Sequence, residues 1–333
     1  MTTHLAATGG VLSAIGGTPL VPLDRLFPDS PVRFFGKLEG LNPGGSSKDR
    51  AALSMILHAV ETGEIVPGRT VLVESSSGNL GIALAQICRR LRIRFICVVD
   101  PKTTAQNVAL LRTYGAEVDL VTEAGNDNGD YLTARLRRVR QLRDELPNTY
   151  WTNQYANPLN AHAQESIMRE VVTELGGPPD HMFIAAGTCG TLHGCRNYAR
   201  RNALPTRVVA VDAEGSAIFG HSARRRLIPG HGAAIRPPLW HDDLADEVVH
   251  VNDQDCVVGC RVLAATEAIL CGGSSGAVVS AVEQLRTRIP DGSTCVLVLP
   301  DRGERYLDTI YSDAWVHDHF GEIMHLWKRR TPC

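Results

Sequence analysis

The sequence predicts an α/β fold in which mainly parallel sheets are flanked by helices and divided between two domains. Short runs rich in β-branched residues alternate with longer stretches of helical periodicity, a pattern typical of parallel strands joined by helical crossovers. The chain has 333 residues, of which 44% are hydrophobic and 21% charged. It is therefore long enough to form two domains with substantial cores.

The β-branched runs predict where the strands lie, and the stretches of helical periodicity predict where the helices lie. Strands are expected at 32–37, 70–74, 95–99, 117–121, 181–186, 207–212 and 295–299. Helices are expected after Lys48 and at 80–91, 105–114, 131–146 and 278–285. The Gly- and Asp-rich segment 124–130 predicts a loop, and the Pro/Gly-rich segment 228–240 is the longest irregular stretch, as in many binding loops or lids.

Composition limits the kinds of partner and the compartment. A formal charge of -2 and a pI near 6.6 give no reason to expect nucleic acid or an anionic membrane as partner. No apolar run approaches the ~18 residues of a membrane span, and residues 1–17 lack a signal-peptide pattern, so a cytoplasmic protein is expected. The nine cysteines are scattered without a CxxC pair, which predicts buried free thiols in a reducing compartment and no metal site.

Lys48 stands at a Gly/Ser-rich turn, 42–50, where a helix is expected to begin. Leu53, Ile56, Leu57 and Val60 recur at helical spacing after it, and Ser46 or Ser47 is a candidate N-cap. A helix N-terminus and desolvation both disfavour the ammonium form of lysine, and such an amine can form a Schiff base with an aldehyde. The chain has only four lysines and otherwise uses arginine, which indicates that a titratable amine is needed here rather than a solvated charge.

Three further loops carry polar groups where a predicted helix begins. In 74–81, serine hydroxyls and backbone N–H groups can hold a carboxylate, and Asn79 can donate to a phenolate or carbonyl oxygen. The loop 186–194 suits a phosphate, although it lacks the Walker ending and the dinucleotide-binding spacing. In 271–277, a serine hydroxyl could meet a ring nitrogen. Helix caps and turn glycines would explain each loop as well when it is taken alone.

Taken together, the motifs resemble the fold-type-II, tryptophan synthase β-like pyridoxal-phosphate enzymes of the cysteine synthase and cystathionine β-synthase group. The matching motifs are Gly17-Thr18-Pro19-Leu20, Asn42-Pro43-x-x-Ser46-x-Lys48-Asp49-Arg50, Ser77-Gly78-Asn79-x-Gly81, Gly187-Thr188-x-Gly190-Thr191 and Gly273-Ser274-x-Gly276. The resemblance covers residues 10–312. It implies a homodimer whose smaller domain, 48–158, has the Schiff-base lysine and the carboxylate loop. The larger domain, 10–47 with 159–315, has the phosphate loop, and a tail follows at 316–333.

The resemblance also implies site residues for the cofactor, pyridoxal 5'-phosphate. Lys48 would hold the cofactor aldehyde and act as acid and base, Asn79 would bond the phenolic oxygen, and Ser274 would meet the pyridine nitrogen. The residues implied for the cofactor phosphate are Gly187, Thr188, Cys189, Gly190 and Thr191. Ser76, Ser77 and Gln154 would hold the substrate carboxylate, with Ser75 as a further candidate. Tyr155 is a candidate for the same pocket, although core packing explains it equally well.

A hydroxyl opposite the pyridine nitrogen, in place of an aspartate, leaves the ring a weaker electron sink. This favours loss of a β-leaving group and replacement through an aminoacrylate intermediate over transamination.

Departures from the cysteine synthase pattern indicate one branch of the group. Leu80 stands where those enzymes usually have threonine, so the carboxylate pocket should be altered. Segments 75–81, 153–158 and 224–230 resemble the branch that joins O-phosphoserine to the amino group of glutamate. That reaction gives N-(2-amino-2-carboxyethyl)-glutamate plus phosphate, for 2,3-diaminopropionate in siderophore or antibiotic biosynthesis. Arg224, Arg225 and Arg226 are candidates for binding phosphate or the glutamate side chain, or they form a solvated basic turn.

Several alternatives remain open at this point. A cysteine synthase would use sulfide with O-acetylserine or O-phosphoserine. A cystathionine β-synthase would use another sulfur nucleophile, although no haem-binding or regulatory extension is recognised. A non-catalytic nucleotide-binding module would leave Lys48 without a role, and a dehydrogenase would need a dinucleotide fingerprint that the sequence lacks.

Overall fold

The computed structural model describes residues 9–124, 131–220 and 222–328. The strands of these residues are β1 (Leu20–Pro22), β2 (Arg33–Leu38), β3 (Val71–Ser75), β4 (Arg94–Val99), β5 (Glu117–Leu120), β6 (Thr149–Trp151), β7 (His181–Ala185), β8 (Arg207–Ala213), β9 (Glu247–Val251) and β10 (Thr294–Leu299). Their α-helices are α1 (Lys48–Glu61), α2 (Asn79–Leu91), α3 (Ala105–Thr113), α4 (Leu132–Glu145), α5 (Pro158–Leu175), α6 (Gly190–Arg201), α7 (Asp253–Glu267), α8 (Gly273–Leu285), α9 (Asp313–Phe320) and α10 (His325–Lys328). The predicted loop 124–130 lies outside the described residues except for Ala124.

The chain divides into two compact units. The first comprises Met1–Ile15 and Asn42–Asn160, and the second comprises Gly16–Leu41 and Ala161–Cys333. The domain bounds expected from the sequence, 48–158 against 10–47 with 159–315, stay a prediction.

The first unit has a four-stranded parallel sheet in the order β5-β4-β3-β6. All five residues of β3 are buried, and so are five of the six in β4. Continuous buried runs of this kind are typical of parallel strands covered by helices on both faces. Val73 of β3 pairs with Trp151 of β6, so both strands end side by side at the carboxyl edge of the sheet. This is the edge at which open α/β sheets bind their ligands.

Helices α1 and α2 pack into the core of the first unit. The buried residues of α1 in this core are Ala51, Ala52, Met55, Ile56 and Ala59. The expected apolar face of this helix was therefore partly wrong, because Leu53 and Val60 are only half-buried at its edge. The three alanines let the helix lie close against its neighbours, which turns the small side chains rather than the leucines inward.

The second unit has a six-stranded sheet in the order β1-β2-β10-β7-β8-β9. Only the pairing of β1 with β2 is antiparallel. The strands expected from the sequence in both units are confirmed, each with ends within one residue of the predicted ones. Strands β1, β6 and β9 were not predicted. They have three to five residues, too few for a periodic pattern to stand out.

Two glycines set the packing of α8 against α7. A Cβ at Gly259 would lie 2.1 Å from the carbonyl oxygen of Gly276, and a Cβ at Gly276 would lie 2.0 Å from that of Cys256. Only glycine permits this approach of one backbone to the other. The contact fixes the helix whose first turn contains Ser274.

The last described helices belong to the second unit. Val316, Ile323 and Trp327 are buried in its core, so the described part of the expected tail 316–333 packs as part of this unit. The eight described cysteines are buried free thiols, as predicted. Among the described helices there is none of the length and apolar character that crossing a membrane requires.

Candidate active site

Lys48 is the first residue of α1 and is held by a compact turn. The Asp49 carboxylate accepts a hydrogen bond from the Gly44 backbone N–H, and the Asp49 N–H donates to the Ser46 carbonyl at 3.2 Å. Gly45 has φ +86°, and any side chain at Gly44 would collide with Asp49. The Lys48 side chain is half-buried. The turn therefore fixes the backbone at the lysine on both sides.

The expected serine cap of α1 is only partly present. Ser47 occupies the N-cap position, but its backbone is already helical and its side chain makes no capping hydrogen bond. Ser46 is the nearer match, because its hydroxyl accepts a hydrogen bond from the Lys48 N–H at 3.3 Å. The cap of this helix is thus made one residue earlier than a standard N-cap.

The loop after β3 contains a serine that caps and a serine that does not. The Ser76 hydroxyl accepts hydrogen bonds from the N–H groups of Gly81 at 2.9 Å and Gly78 at 3.4 Å, which caps α2. The Ser75 hydroxyl is buried and has no hydrogen-bond partner. A buried hydroxyl without a partner is costly, and such a group often awaits a ligand.

Asn79 begins α2, and Leu80 follows it inside the core. Asn79 and Ser77 are half-buried, and the Ser77 carbonyl accepts a hydrogen bond from the Asn107 side-chain amide at 3.0 Å. Leu80 is 2% exposed and packs with the apolar residues of α1 and α2. Leu80 therefore has a core-packing role, and the expectation that it also alters the carboxylate pocket stays a prediction.

A buried carboxylate joins this loop to the segment that follows β6. Glu74, at the end of β3, is 1% exposed and accepts hydrogen bonds from the Ser75 and Gln154 backbone N–H groups. Burial raises its pKa, and the donated hydrogen bonds oppose that shift. Gln154 is buried as expected for a ligand-binding amide, and its carbonyl accepts a hydrogen bond from the Asn160 side chain at 2.8 Å. Tyr155, the next residue, is half-buried.

In the second unit, the glycine loop 187–191 joins β7 to α6. Cys189 takes the N-cap position in a left-handed conformation (φ +65°), and Gly190 begins the helix. The Gly190 N–H donates to the Thr188 hydroxyl at 3.4 Å. The first N–H groups of a helix have no acceptor within the helix and attract anions. Burial raises the pKa of the Cys189 thiol to about 12, so this cysteine is neutral and not nucleophilic.

Ser274 lies in the first turn of α8, beside the irregular segment 226–233. A Cβ at Gly230 (φ +102°) would lie 3.3 Å from the Ser274 hydroxyl oxygen. A Cβ at Gly187 would lie 3.5 Å from the Gly230 carbonyl oxygen. The Gly232 N–H also donates to the Ala186 carbonyl at 2.6 Å. Segment 226–233 therefore lies next to both the glycine loop and Ser274.

Family membership is decided by comparison with known proteins. The family described as pyridoxal-phosphate dependent enzyme matches residues 11–301. This chain belongs to the pyridoxal-phosphate dependent enzymes. It is an enzyme of this family, as predicted from Lys48 and the three loops.

Relatives of this pyridoxal-phosphate enzyme include two synthases that share one name with each other. N-(2-amino-2-carboxyethyl)-L-glutamate synthase of Ralstonia nicotianae is 45% identical over 307 residues, covering 92% of this chain and 90% of the relative. The synthase of that name from Cupriavidus metallidurans is 45% identical over 310 residues, with the same coverage. The crystal structure of cysteine synthase from Entamoeba histolytica has a TM-score of 0.83 at 29% identity, covering 91% of this chain and 90% of that one. The predicted fold class is confirmed.

The described residues suit the cofactor of the family. Gly187 leaves open the space that a Cβ would fill beside the start of α6, where a phosphate is favoured. The buried Ser275 hydroxyl next to Ser274 has no hydrogen-bond partner, and neither has the Ser75 hydroxyl. Pyridoxal phosphate has a phosphate, a ring nitrogen and a phenolic oxygen, and each of these can accept a hydrogen bond from a hydroxyl or a backbone N–H group.

The arginine run 224–226 has two different environments. Arg224 and Arg225 are exposed. Arg226 is half-buried, and its guanidinium donates to the His231 carbonyl at 2.7 Å. Arg226 thus makes a hydrogen bond within segment 226–233, and Arg224 and Arg225 are the exposed members of the run.

Two acidic residues that hydrogen-bond to these loops were missed by the sequence analysis. Glu74 is one, and Asp253 is the other, because its carboxylate accepts hydrogen bonds from the Leu227 and Ile228 backbone N–H groups at 2.8 and 3.0 Å. Glu74 could have been noticed as a charge at the end of the apolar run 71–73, since a buried carboxylate needs several donors. Asp253 gives no such signal, because it stands among other acidic residues at a helix start.

Proposed function

We propose that this enzyme joins O-phospho-L-serine and L-glutamate to give N-(2-amino-2-carboxyethyl)-L-glutamate and phosphate. The bond from the serine Cβ to the phosphate oxygen breaks, and a bond from the same Cβ to the glutamate nitrogen forms. The glutamate ammonium group loses a proton, and the phosphate leaves with the electron pair of the broken bond. The single observation that supports this reaction is the 45% identity to two synthases named for its product, over 92% of the chain.

The residues of the first unit would bind the cofactor aldehyde and the amino-acid substrate. Lys48 would hold the cofactor covalently and then move a proton at the substrate Cα. Asn79 would donate a hydrogen bond to the phenolic oxygen of the cofactor. The hydroxyl and N–H groups of Ser75, Ser76 and Ser77 would bind the substrate carboxylate together with Gln154.

The capping bonds of Ser76 use the lone pairs of its hydroxyl oxygen, so the hydroxyl hydrogen stays available to a carboxylate. Tyr155 would face the same substrate.

The residues of the second unit would bind the rest of the cofactor. Backbone N–H groups and threonine hydroxyls from Gly187 to Thr191 would bind its phosphate, with Cys189 contributing through its backbone. Ser274 would meet the pyridine nitrogen. When bound, the cofactor withdraws electrons from the substrate Cα, and a neutral hydroxyl at the ring nitrogen limits that withdrawal. Arg225 would recognise the phosphate of phosphoserine or the glutamate side chain.

A second candidate is cysteine synthase, in which sulfide takes the place of glutamate. The specific observation that favours it is the likeness to the Entamoeba histolytica enzyme, with a TM-score of 0.83. Sulfide needs no cationic recognition group, whereas phosphoserine and glutamate bring several negative charges. The exposed Arg224 and Arg225 therefore fit the first candidate better.

Mass spectrometry of reaction products tests the proposal. The purified enzyme with pyridoxal phosphate is given O-phosphoserine or O-acetylserine, each paired in turn with glutamate and with sulfide. We expect the phosphoserine and glutamate pair to give the adduct as the main product. Cysteine as the main product, with no glutamate adduct, would move the enzyme to the cysteine synthases.

We also propose that the enzyme is a cytoplasmic homodimer that supplies 2,3-diaminopropionate biosynthesis. The eight buried free thiols of the described residues support a reducing compartment. The dimer is proposed from the family resemblance, and its mass in solution by light scattering tests it: a mass of one chain would contradict it.

A further inference from the structure

The carboxylate of Glu74 lies where two loops of the first unit meet. Glu74 is the fourth residue of β3, whose neighbour β6 ends at Trp151. The serine segment 75–77 begins at the last residue of β3, and the segment 152–154 follows β6. Glu74 is 1% exposed, so protein groups rather than water supply the hydrogen bonds of its carboxyl group.

Each oxygen of this carboxylate accepts one backbone and one side-chain hydrogen bond. Oε1 accepts from the Ser75 N–H at 2.8 Å and from the Trp151 indole N–H at 3.0 Å. Oε2 accepts from the Gln154 N–H at 3.4 Å and from the Thr152 hydroxyl. One oxygen therefore holds the start of the serine loop, and the other holds the backbone of Gln154.

We propose that Glu74 is a positioning residue that fixes Ser75 and Gln154 relative to each other, so that together they bind the substrate α-carboxylate. This inference rests on the proposed function, because it takes the serine loop and Gln154 as the carboxylate site. Glu74 itself does not touch the substrate. It acts by fixing the distance between the two segments that contact the substrate.

All four hydrogen bonds need an acceptor at residue 74, and a glutamine side chain has only one acceptor oxygen where glutamate has two. In Glu74→Gln one oxygen remains, and the other becomes an NH2 group that only donates. The Thr152 hydroxyl can rotate to accept from that NH2 group, but the Gln154 or Ser75 N–H cannot. The substitution keeps the size of the side chain and releases one of the two backbone anchors.

The experiment compares two ligands that differ only in the α-carboxylate. O-phospho-L-serine and O-phosphoethanolamine are each titrated into the enzyme loaded with pyridoxal phosphate, and the cofactor absorbance reports binding. One lost backbone hydrogen bond corresponds to roughly a tenfold loss of affinity. We expect Glu74→Gln to weaken phosphoserine by about that factor and to leave phosphoethanolamine and the cofactor content unchanged. Equal weakening of both ligands, or of neither, would overturn the proposal.

A second pair of variants covers the case in which Glu74→Gln fails to fold. Thr152→Val removes one donor to Oε2, and Thr152→Ser keeps it. We expect only the valine variant to lose affinity for phosphoserine selectively, and equal affinity in the two variants would also overturn the proposal. If the wild-type enzyme bound neither phosphoserine nor O-acetylserine, the proposed function would fail, whereas a normal wild type with an unaffected Glu74→Gln would refute the positioning role alone.

Discussion

Leu80 offers a sharp test of whether the departure from the cysteine synthase pattern acts on stability or on substrate choice. Its side chain is 2% exposed and packs in the core formed by α1 and α2. Threonine in its place removes two carbon positions, at about 0.8 kcal/mol for each buried methylene. It also buries a hydroxyl, which costs roughly 1–3 kcal/mol when no partner is supplied. We therefore expect Leu80→Thr to destabilise the first unit by about 3 kcal/mol.

Thermal unfolding of the loaded enzyme, followed by circular dichroism, measures this loss. About 3 kcal/mol corresponds to a melting temperature lower by roughly 6–12 °C. Leu80→Met is the matched control, because a swap that conserves volume costs less than about 1.5 kcal/mol. The ratio of glutamate adduct to cysteine is measured on the same samples and should not change. A threonine variant that melts like the wild type and prefers sulfide would refute the core-packing role and show that this side chain lines the substrate pocket.

Three further predictions concern the second unit. Gly276→Ala should lower the melting temperature by an amount matching about 1–3 kcal/mol or more, because its Cβ would meet the Cys256 carbonyl at 2.0 Å; Gly177→Ala, with open space around it, should melt like the wild type. Burial lowers the pKa of His231 to about 4. As the pH drops from about 6.5 towards 4, the unfolded chain therefore binds a proton that the folded chain does not bind, and the free energy of unfolding should fall. The free energy of unfolding should depend less on pH in His231→Gln than in the control His58→Gln, which changes an exposed histidine. Parallel curves of stability against pH for the two variants would contradict this prediction. Arg225→Gln should raise the KM for phosphoserine about tenfold, and Arg224→Gln shows whether the neighbouring exposed arginine contributes as well; a wild-type KM in both variants would show a solvated turn.

The sequence predicts those parts of the fold that depend on local patterns of residues. Strands β3 and β4 were predictable because each contains at least three consecutive apolar residues that are buried. The position of the glycine loop 187–191 between a strand and a helix was predictable, and its role in binding a phosphate stays a prediction. These signals depend on neighbours along the chain, which a sequence displays directly.

The remaining features depend on contacts between distant segments. The three-residue strands β1 and β6 exist because their partners supply the ladder, and the sequence of each alone has no period. Glu74 became visible as an anchor only when β3 and β6 were placed side by side, 77 residues apart at its contact with Trp151. The burial of Leu80 was not predicted for the same reason, since its surroundings include residues of α1.

Transfer of the glutamate nitrogen is the most direct test of the central claim. The enzyme with pyridoxal phosphate and O-phosphoserine is given glutamate labelled with nitrogen-15, with an equal concentration of sulfide present, and the products are measured by mass spectrometry. The account predicts labelled N-(2-amino-2-carboxyethyl)-L-glutamate from the wild type and none from Lys48→Ala. Cysteine from the wild type with all the label left in free glutamate would contradict it, and so would a labelled adduct from the alanine variant.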